Sequence, residues 1–195
     1  MVFYKKNQSI SSSEITLKYP SIFDYKSWKS LREKSRAFLT PWEPTWRPGE
    51  HSFNRYLKLL SIYSQKRKNN LQYSFFIFNS DNELVGGVNV FNIKTGISQS
   101  CTLGYWIGQN HSRKGYMRNA LKLLIKQLFL ELKFNRIEAA CIPRNIASKN
   151  LLINIGFEEE GYAKEFLRIN GKWEDHLLFA LTKNKYNEIN NGQKS

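Results

Sequence analysis

Leu103-Gly104-Tyr105-Trp106-Ile107-Gly108, then Gln109-Asn110-His111, then Ser112-Arg113-Lys114-Gly115-Tyr116-Met117: along this stretch the chain passes from a strand, through a short basic loop, into a helix. The first part is aromatic and apolar and bounded by glycine, as a strand requires. Beyond Gly115 the period changes. Ala120, Leu121, Leu124, Ile125, Leu128, Phe129 and Leu132 recur at helical spacing, with Lys122, Lys126 and Lys133 on the other side. The first turn of a helix leaves N–H groups without intrahelical acceptors, and the positive end of the helix dipole lies there too. Together they form a site for phosphate oxygens. Gly115 lets a ligand approach the backbone closely, and Arg113, Lys114 and Arg118 add full charges around it.

Upstream of this junction, Glu14 to Tyr19 alternates polar and apolar residues and stops at Pro20, which predicts a half-buried strand. Ser21 and Asp24 offer caps for a helix carrying Phe23, Trp28, Leu31 and Phe38. Pro41-Trp42-Glu43-Pro44 breaks that helix, and Pro48-Gly49 punctuates the loop after it. A second helix is expected over 50–66, with Phe53, Tyr56, Leu57, Leu60 and Tyr63 at helical spacing. Strands are expected at 73–79, 84–92 and 102–108, the first two joined by the turn Ser80-Asp81-Asn82-Glu83.

Downstream, 136–142 reads as a buried strand ended by Pro143, and 145–155 as a short helix closed by Gly156. Residues 166–169 and 173–181 flank Asn170-Gly171, a strong hairpin signal. Everything after Thr182 is polar and is expected to fray, giving one domain over 1–182 and a polar C-terminal tail over 183–195. The order predicts an α/β fold: a mixed, mostly antiparallel sheet with one strand–helix–strand crossover. Its binding crevice is expected at the mouth of that crossover, where strand and helix ends converge.

At 195 residues the chain suffices for one sizeable core, and 41 % hydrophobic residues supply it. The charge is unusual: 30 Lys+Arg against 16 Asp+Glu give +14. That balance favours polyanionic surroundings such as RNA, a ribosome or a phosphate-bearing cofactor, or else reflects a lysine-rich, solubilising surface. The basic residues form no long run. Cys101 and Cys141 have neither metal-ligand nor disulfide-framework spacing and read as small core residues of a reducing compartment. Met1 to Ile10 lacks the apolar stretch of a signal peptide, and no run reaches the length of a membrane span, so a cytoplasmic protein without a membrane partner is expected. His51 and His111 have no partners at ligand spacing, so no metal is expected. Gly-x-Ser-x-Gly, Walker and Rossmann fingerprints are absent, which argues against hydrolase, nucleotidase and dehydrogenase chemistry.

Pro41-Trp42-Glu43-Pro44, Leu103 to Gly108, Gly115-Tyr116-Met117, Asn145 and Ser148 ahead of Gly156-Phe157, Glu159 to Ala163, and Asn170 to His176 occur in an order that resembles the general N-acetyltransferase (GNAT) superfamily. Within it, the chain looks closest to ribosomal-protein-alanine N-acetyltransferases. The superfamily loop pattern is Gln/Arg-x-x-Gly-x-Gly/Ala, and here only the central Gly115 matches strictly, Ser112 and Met117 standing at its ends. The resemblance implies a six- to seven-stranded sheet with helices on both faces and a splayed central strand pair. Acetyl-CoA is the implied co-substrate, its pyrophosphate on Ser112, Arg113, Lys114, Gly115, Tyr116, Met117 and Arg118. Its pantetheine would pair with the backbone of Tyr105, Trp106 and Ile107, with 138–141 as the other wall of the V.

Asn145 either caps its helix or hydrogen-bonds pantetheine, and the sequence leaves both open. Ser148, on the same helical face, is implied as the group that protonates the departing thiolate, although serine is common in a first helical turn. Some relatives carry an acidic residue where this chain has Thr102. Glu43 is then the candidate general base, in a loop whose Trp42 and Trp46 either border the acceptor or plug the core rim. His176 beside Asp175 is a further acceptor-side candidate, orientable by the carboxylate or simply structural. The implied reaction is transfer of acetyl to a protein N-terminal amine, alanine of a small-subunit ribosomal protein, near rRNA. The alternatives are a small-amine acetyltransferase, or a catalytically weak ribosome- or nucleic-acid-binding module on the same fold.

Overall fold

The strands and helices were located in a computed structural model that describes residues 9–192. Most of the polar Met1–Ile10 stretch, and the last three residues of the 183–195 tail, lie outside the described residues. In chain order, the elements are β1 (Ile10–Ser11), β2 (Ile15–Lys18), α1 (Tyr25–Lys34), α2 (Arg36–Leu39), α3 (Phe53–Lys68), β3 (Tyr73–Asn79), β4 (Leu84–Lys94) and β5 (Ser100–Ile107). Then follow α4 (Tyr116–Lys126, continued by a π-helical turn over Gln127–Glu131), β6 (Arg136–Cys141), α5 (Ile146–Asn154), β7 (Glu158–Ile169), β8 (Lys172–Thr182) and α6 (Lys183–Asn191).

The eight strands form one sheet in the order β1-β2-β3-β4-β5-β6-β8-β7. Every pairing is antiparallel except β5 with β6, which α4 connects as the crossover. β3 is buried at all seven positions, so both faces of the sheet must be covered. Its alternation divides the core in two. Phe75 and Ile77 join Leu121, Leu124, Leu128 and Phe129 on the α4 side, while Phe76 and Phe78 pack with Trp28 and Tyr56 from α1 and α3.

The fold class is as expected, with helices on both faces. Two differences in the sheet have local causes. The eighth strand is the two-residue β1, too short to leave a periodic signal. β7 begins at Glu158 rather than 166, because an exposed edge strand such as Glu158-Glu159-Glu160-Gly161 carries no apolar alternation. The first helix also differs: Phe23 lies in the 3-10 turn before α1 and is 92 % exposed, so it is not part of the core face. α1 and α2 part at buried Ser35, whose hydroxyl accepts the Gln109 backbone N–H at 2.9 Å and ties this corner to the basic loop.

The tail expected to fray is instead helical as far as Asn191. Thr182 caps α6 by accepting the Lys185 N–H at 3.2 Å, and Tyr186 lies 5.0 Å, centroid to centroid, from the buried ring of Phe129. Truncation after Thr182 is therefore expected to destabilise the fold by about 2 kcal/mol, the scale of uncovering one or two apolar side chains. Urea denaturation of the two forms checks this, and equal midpoints would contradict it.

Candidate active site

β5 and β6 pair from Ser100↔Arg136 to Leu103↔Ala139 and then separate. β5 continues to Ile107 against β4, and β6 continues to Cys141 against β8. From Gly104 to Ile107 the side of β5 turned from β4 therefore has no strand partner. Main-chain donors and acceptors in such a place require a partner from elsewhere. This is the V expected between the two strands, and its left wall holds Tyr105, Trp106 and Ile107. Gly87 keeps the wall close-packed: a Cβ there would stand 2.5 Å from Trp106 Nε1.

At the open end of β5, a 3-10 turn over Gln109–His111 leads to the loop, and Ser112 Oγ donates to the Gln109 carbonyl at 2.8 Å. Gly115 is the N-cap of α4 with φ +83°, where glycine alone is unstrained. The first α-helical bond returns from Asn119 N–H to the Gly115 carbonyl, and no side chain caps the turn. The N–H groups of Tyr116, Met117 and Arg118 thus have no intrahelical acceptor. A cavity of about 730 Å³ lies beside them, lined by Tyr105, Trp106, Ile107, Ser112, Arg113, Gly115, Tyr116, Met117 and Arg118 among others. Lys114 is exposed and does not line it; its charge acts only at a distance. Met117 serves two purposes, since its side chain is also part of the core under α4.

Across the V, Asn145 caps α5: its Oδ1 accepts the Ser148 N–H at 3.1 Å. Capping is thus observed, and the amide N–H donors remain for a ligand. The Ser148 hydroxyl lies 2.9 Å from the Tyr105 hydroxyl. Burial pushes the Tyr105 phenol well above its ordinary range, with a smaller opposing effect from the Ser148 hydrogen bond. A second cavity, of about 560 Å³, opens on the V and is lined by Thr102, Gly104, Arg136, Glu138, Glu160, Phe166 and His176. Trp42, Tyr105, Asn145 and Ser148 line both cavities. The sequence reading missed this chamber and its carboxylates. Glu138 stands opposite Thr102 across the parallel pair, in reach of the position left without an acidic residue. One of its oxygens accepts Arg136 Nε at 2.9 Å, and Arg136 also pairs with Glu160.

The Trp-rich loop behaves differently from expectation. Glu43 lines the first cavity, but Arg32 binds both its oxygens, the Nη1–Oε1 distance being 2.7 Å, and Trp46 Nε1 donates to it at 2.8 Å. Trp46 itself is buried, with Arg32 over its ring at 4.5 Å and the His51 ring edge-on at 4.5 Å. It supports Glu43 from behind and lines neither cavity. Asp175 does not orient His176. Neighbours on a strand face opposite ways, and the Asp175 carboxylate takes Tyr162 Oη at 2.5 Å and the Glu165 N–H at 2.8 Å. His176 is buried against Phe166, with Nδ1 2.9 Å from the Glu174 carbonyl. Among the described residues, no group of three His, Cys, Asp or Glu side chains is placed to hold a metal, and no helix is long and apolar enough to cross a membrane.

Residues 15–158 match the family model described as the acetyltransferase (GNAT) domain. The chain belongs to the GNAT acetyltransferase family. It is 36 % identical over 165 residues to the [ribosomal protein uS5]-alanine N-acetyltransferase of Escherichia coli, covering 83 % of this chain and 84 % of that one. Among solved structures, the ribosomal-protein-S5-alanine acetyltransferase of Vibrio fischeri superposes with a TM-score of 0.83 at 28 % identity, over 92 % of this chain and 98 % of that one. Mycobacterium smegmatis RimJ, solved in complex with CoA-disulfide, gives 0.83 at 26 % identity, over 94 % and 92 %.

As a GNAT enzyme the chain is an acetyl-CoA-dependent N-acetyltransferase. The residues fit that co-substrate. The unpaired edge of β5 matches the alternating amide donors and acceptors of pantetheine, and the uncapped start of α4 matches a pyrophosphate. A Cβ on Gly115 would meet nothing nearer than Asn119 Nδ2 at 4.0 Å, so the glycine serves the backbone turn and leaves the ligand side open. Bound acetyl-CoA supplies an activated thioester.

Proposed function

We propose that this acetyltransferase modifies a protein N-terminal α-amine, that of alanine on a small-subunit ribosomal protein, by direct attack within a ternary complex. The observation that carries the reading is the pair of cavities with four residues in common, one holding the helix-start phosphate site and the other open to a second substrate. No side chain need become acylated in such an arrangement. The relative named as a uS5-alanine N-acetyltransferase supports the choice of acceptor, and the charge of +14 suits an enzyme that meets its substrate beside rRNA.

In this reading the loop from Ser112 to Arg118 holds the pyrophosphate, Tyr105 to Ile107 and the amide of Asn145 hold pantetheine, and Trp42 closes the acceptor passage. An α-ammonium has a pKa near 8, so about one acceptor in ten is already neutral at pH 7, and modest base assistance suffices. Glu43 keeps that role by its place on the cleft: with three N–H donors on about four lone-pair positions, one position is left for the incoming amine. Glu138, on the acceptor side, holds the ammonium before it is neutralised. Backbone N–H groups of the open β5 edge steady the oxyanion.

Tandem mass spectrometry tests the acceptor. Peptides starting with alanine and carrying an internal lysine, incubated with acetyl-CoA, are expected to gain acetyl on the α-amine in preference to the lysine. Turnover of polyamines without any α-acetylated peptide would overturn the reading in favour of a small-amine enzyme.

A further inference from the structure

The hydroxyls of Tyr105 and Ser148 meet 2.9 Å apart, and both residues line both cavities. Tyr105 offers its backbone to pantetheine, and its side chain reaches from β5 to Ser148 on α5. Ser148 is fixed at the other end, its N–H on the Asn145 cap. The Cys141 thiol is the third group against this hydroxyl, and burial pushes it above its usual range. Lys149 and Glu159, whose charges act on that thiol in opposite senses, pair with each other at 2.8 Å.

A serine hydroxyl has one proton and two lone pairs. If it donates to Tyr105, it has no proton to offer the cleft. If it accepts from Tyr105, its proton is free to turn there. A phenol is the stronger acid and the weaker acceptor of the two, so the bond runs from tyrosine to serine. We propose that Tyr105 is a positioning residue for the leaving group: its O–H donates to Ser148 Oγ and so presents the Ser148 O–H to the thiolate sulfur. As the amine nitrogen bonds to the acetyl carbon, the C–S bond breaks and its electron pair stays on sulfur, where Ser148 meets it. Ser148 gives its proton to that sulfur and regains one from water, while the proton shed by the amine goes to Glu43. Tyr105 keeps its own proton throughout. The proposal rests on the reading above only in placing the reaction centre where the cavities meet and in taking Glu43 as the base.

Two measurements on Y105F, S148A and the double variant test it. The first needs no acceptor: the thiolate absorbance of bound CoA is titrated in the binary complex. In the wild type the bound thiol is expected to ionise at lower pH than free CoA, and each variant to move it back by a similar amount. The second compares acetyl-CoA with its acetyl-selenoester analogue, whose selenol leaves as an anion without help. Y105F is expected to lower kcat with the thioester about tenfold, the scale of one hydrogen bond, to lower it less than about twofold with the selenoester, and to leave the acetyl-CoA KM unchanged. The double variant should lose no more than S148A alone. Equal losses with both esters, or a bound-thiol titration that Y105F does not move, would overturn the proposal. Should Y105F fail to fold, S148A carries the same test: equal losses with both esters there would overturn it as well. A wild type that cleaves neither ester with any peptide would instead overturn the acceptor reading, and the thiol titration would stand apart from that result.

Discussion

Gly115→Glu is expected to raise the Kd for CoA at least about a hundredfold while leaving the fold in place. The substitution puts a carboxylate at the start of α4, where the N–H groups of Tyr116, Met117 and Arg118 have no intrahelical acceptor. It competes for those donors and repels the pyrophosphate. Charge-assisted hydrogen bonds are worth roughly 1.5–3 kcal/mol, and 1.4 kcal/mol is about tenfold in affinity. The fold should tolerate the change, because a Cβ there meets nothing closer than 4.0 Å. The φ of +83° costs an L residue about 1–2 kcal/mol, a fraction of the usual 5–15 kcal/mol of stability. Calorimetric titration with CoA, beside a thermal melt, checks both halves. An unchanged Kd would remove this loop from the cofactor site.

The second large effect belongs to Arg32. Its side chain is 12 % exposed and that of Glu43 18 %, so the pair is mostly removed from water. Arg32 also lies over Trp46 at 4.5 Å and Trp106 at 4.8 Å, joining the acceptor loop to the left wall of the V. The Glu43 carbonyl in turn accepts the Asn170 N–H at 2.9 Å, which docks the β7–β8 turn on the same loop. Removing one member of a buried pair leaves the other charge uncompensated, typically at about 3–5 kcal/mol. R32A should therefore lower the melting temperature by about 6–12 °C, taking about 3 kcal/mol and 2–4 °C per kcal/mol for a chain of this size. The R32M/E43M double variant should recover part of the loss. A melting temperature within about 2 °C of wild type would mean that the pair is solvated and holds nothing together.

What was legible in the sequence was whatever repeats along the chain. The core face of α4, the largely apolar β3, the Asn170-Gly171 turn and the order of strands around Gly115 all follow from local periodicity and turn chemistry, and each lies where the pattern put it. The V was inferred through family resemblance, and the end of β5–β6 pairing at Leu103↔Ala139 is its structural form. Residue pairs brought together only by the fold were not legible. Glu43 looked like a free carboxylate because its partner Arg32 lies a helix away. Asp175 and His176 looked like a pair because they are adjacent, although adjacency on a strand sends them to opposite faces. The second cavity needed Thr102, Glu138 and Phe166 from three strands at once. α6 went unread because Tyr186 and its surroundings are too polar to show a stripe, and its contact with Phe129 is tertiary.

Donor and acceptor are expected to enter by different cavities and to meet at Trp42, Tyr105, Asn145 and Ser148. A crystal structure with a bisubstrate conjugate, CoA joined through an acetyl bridge to the amine of an alanine-starting peptide, tests it most directly. The pyrophosphate is expected on the N–H groups of Tyr116 to Arg118, the bridge beside Ser148, and the peptide leaving past Glu138 and Phe166. A peptide that leaves through the same cavity as CoA, with the chamber around Glu138 untouched, would contradict it.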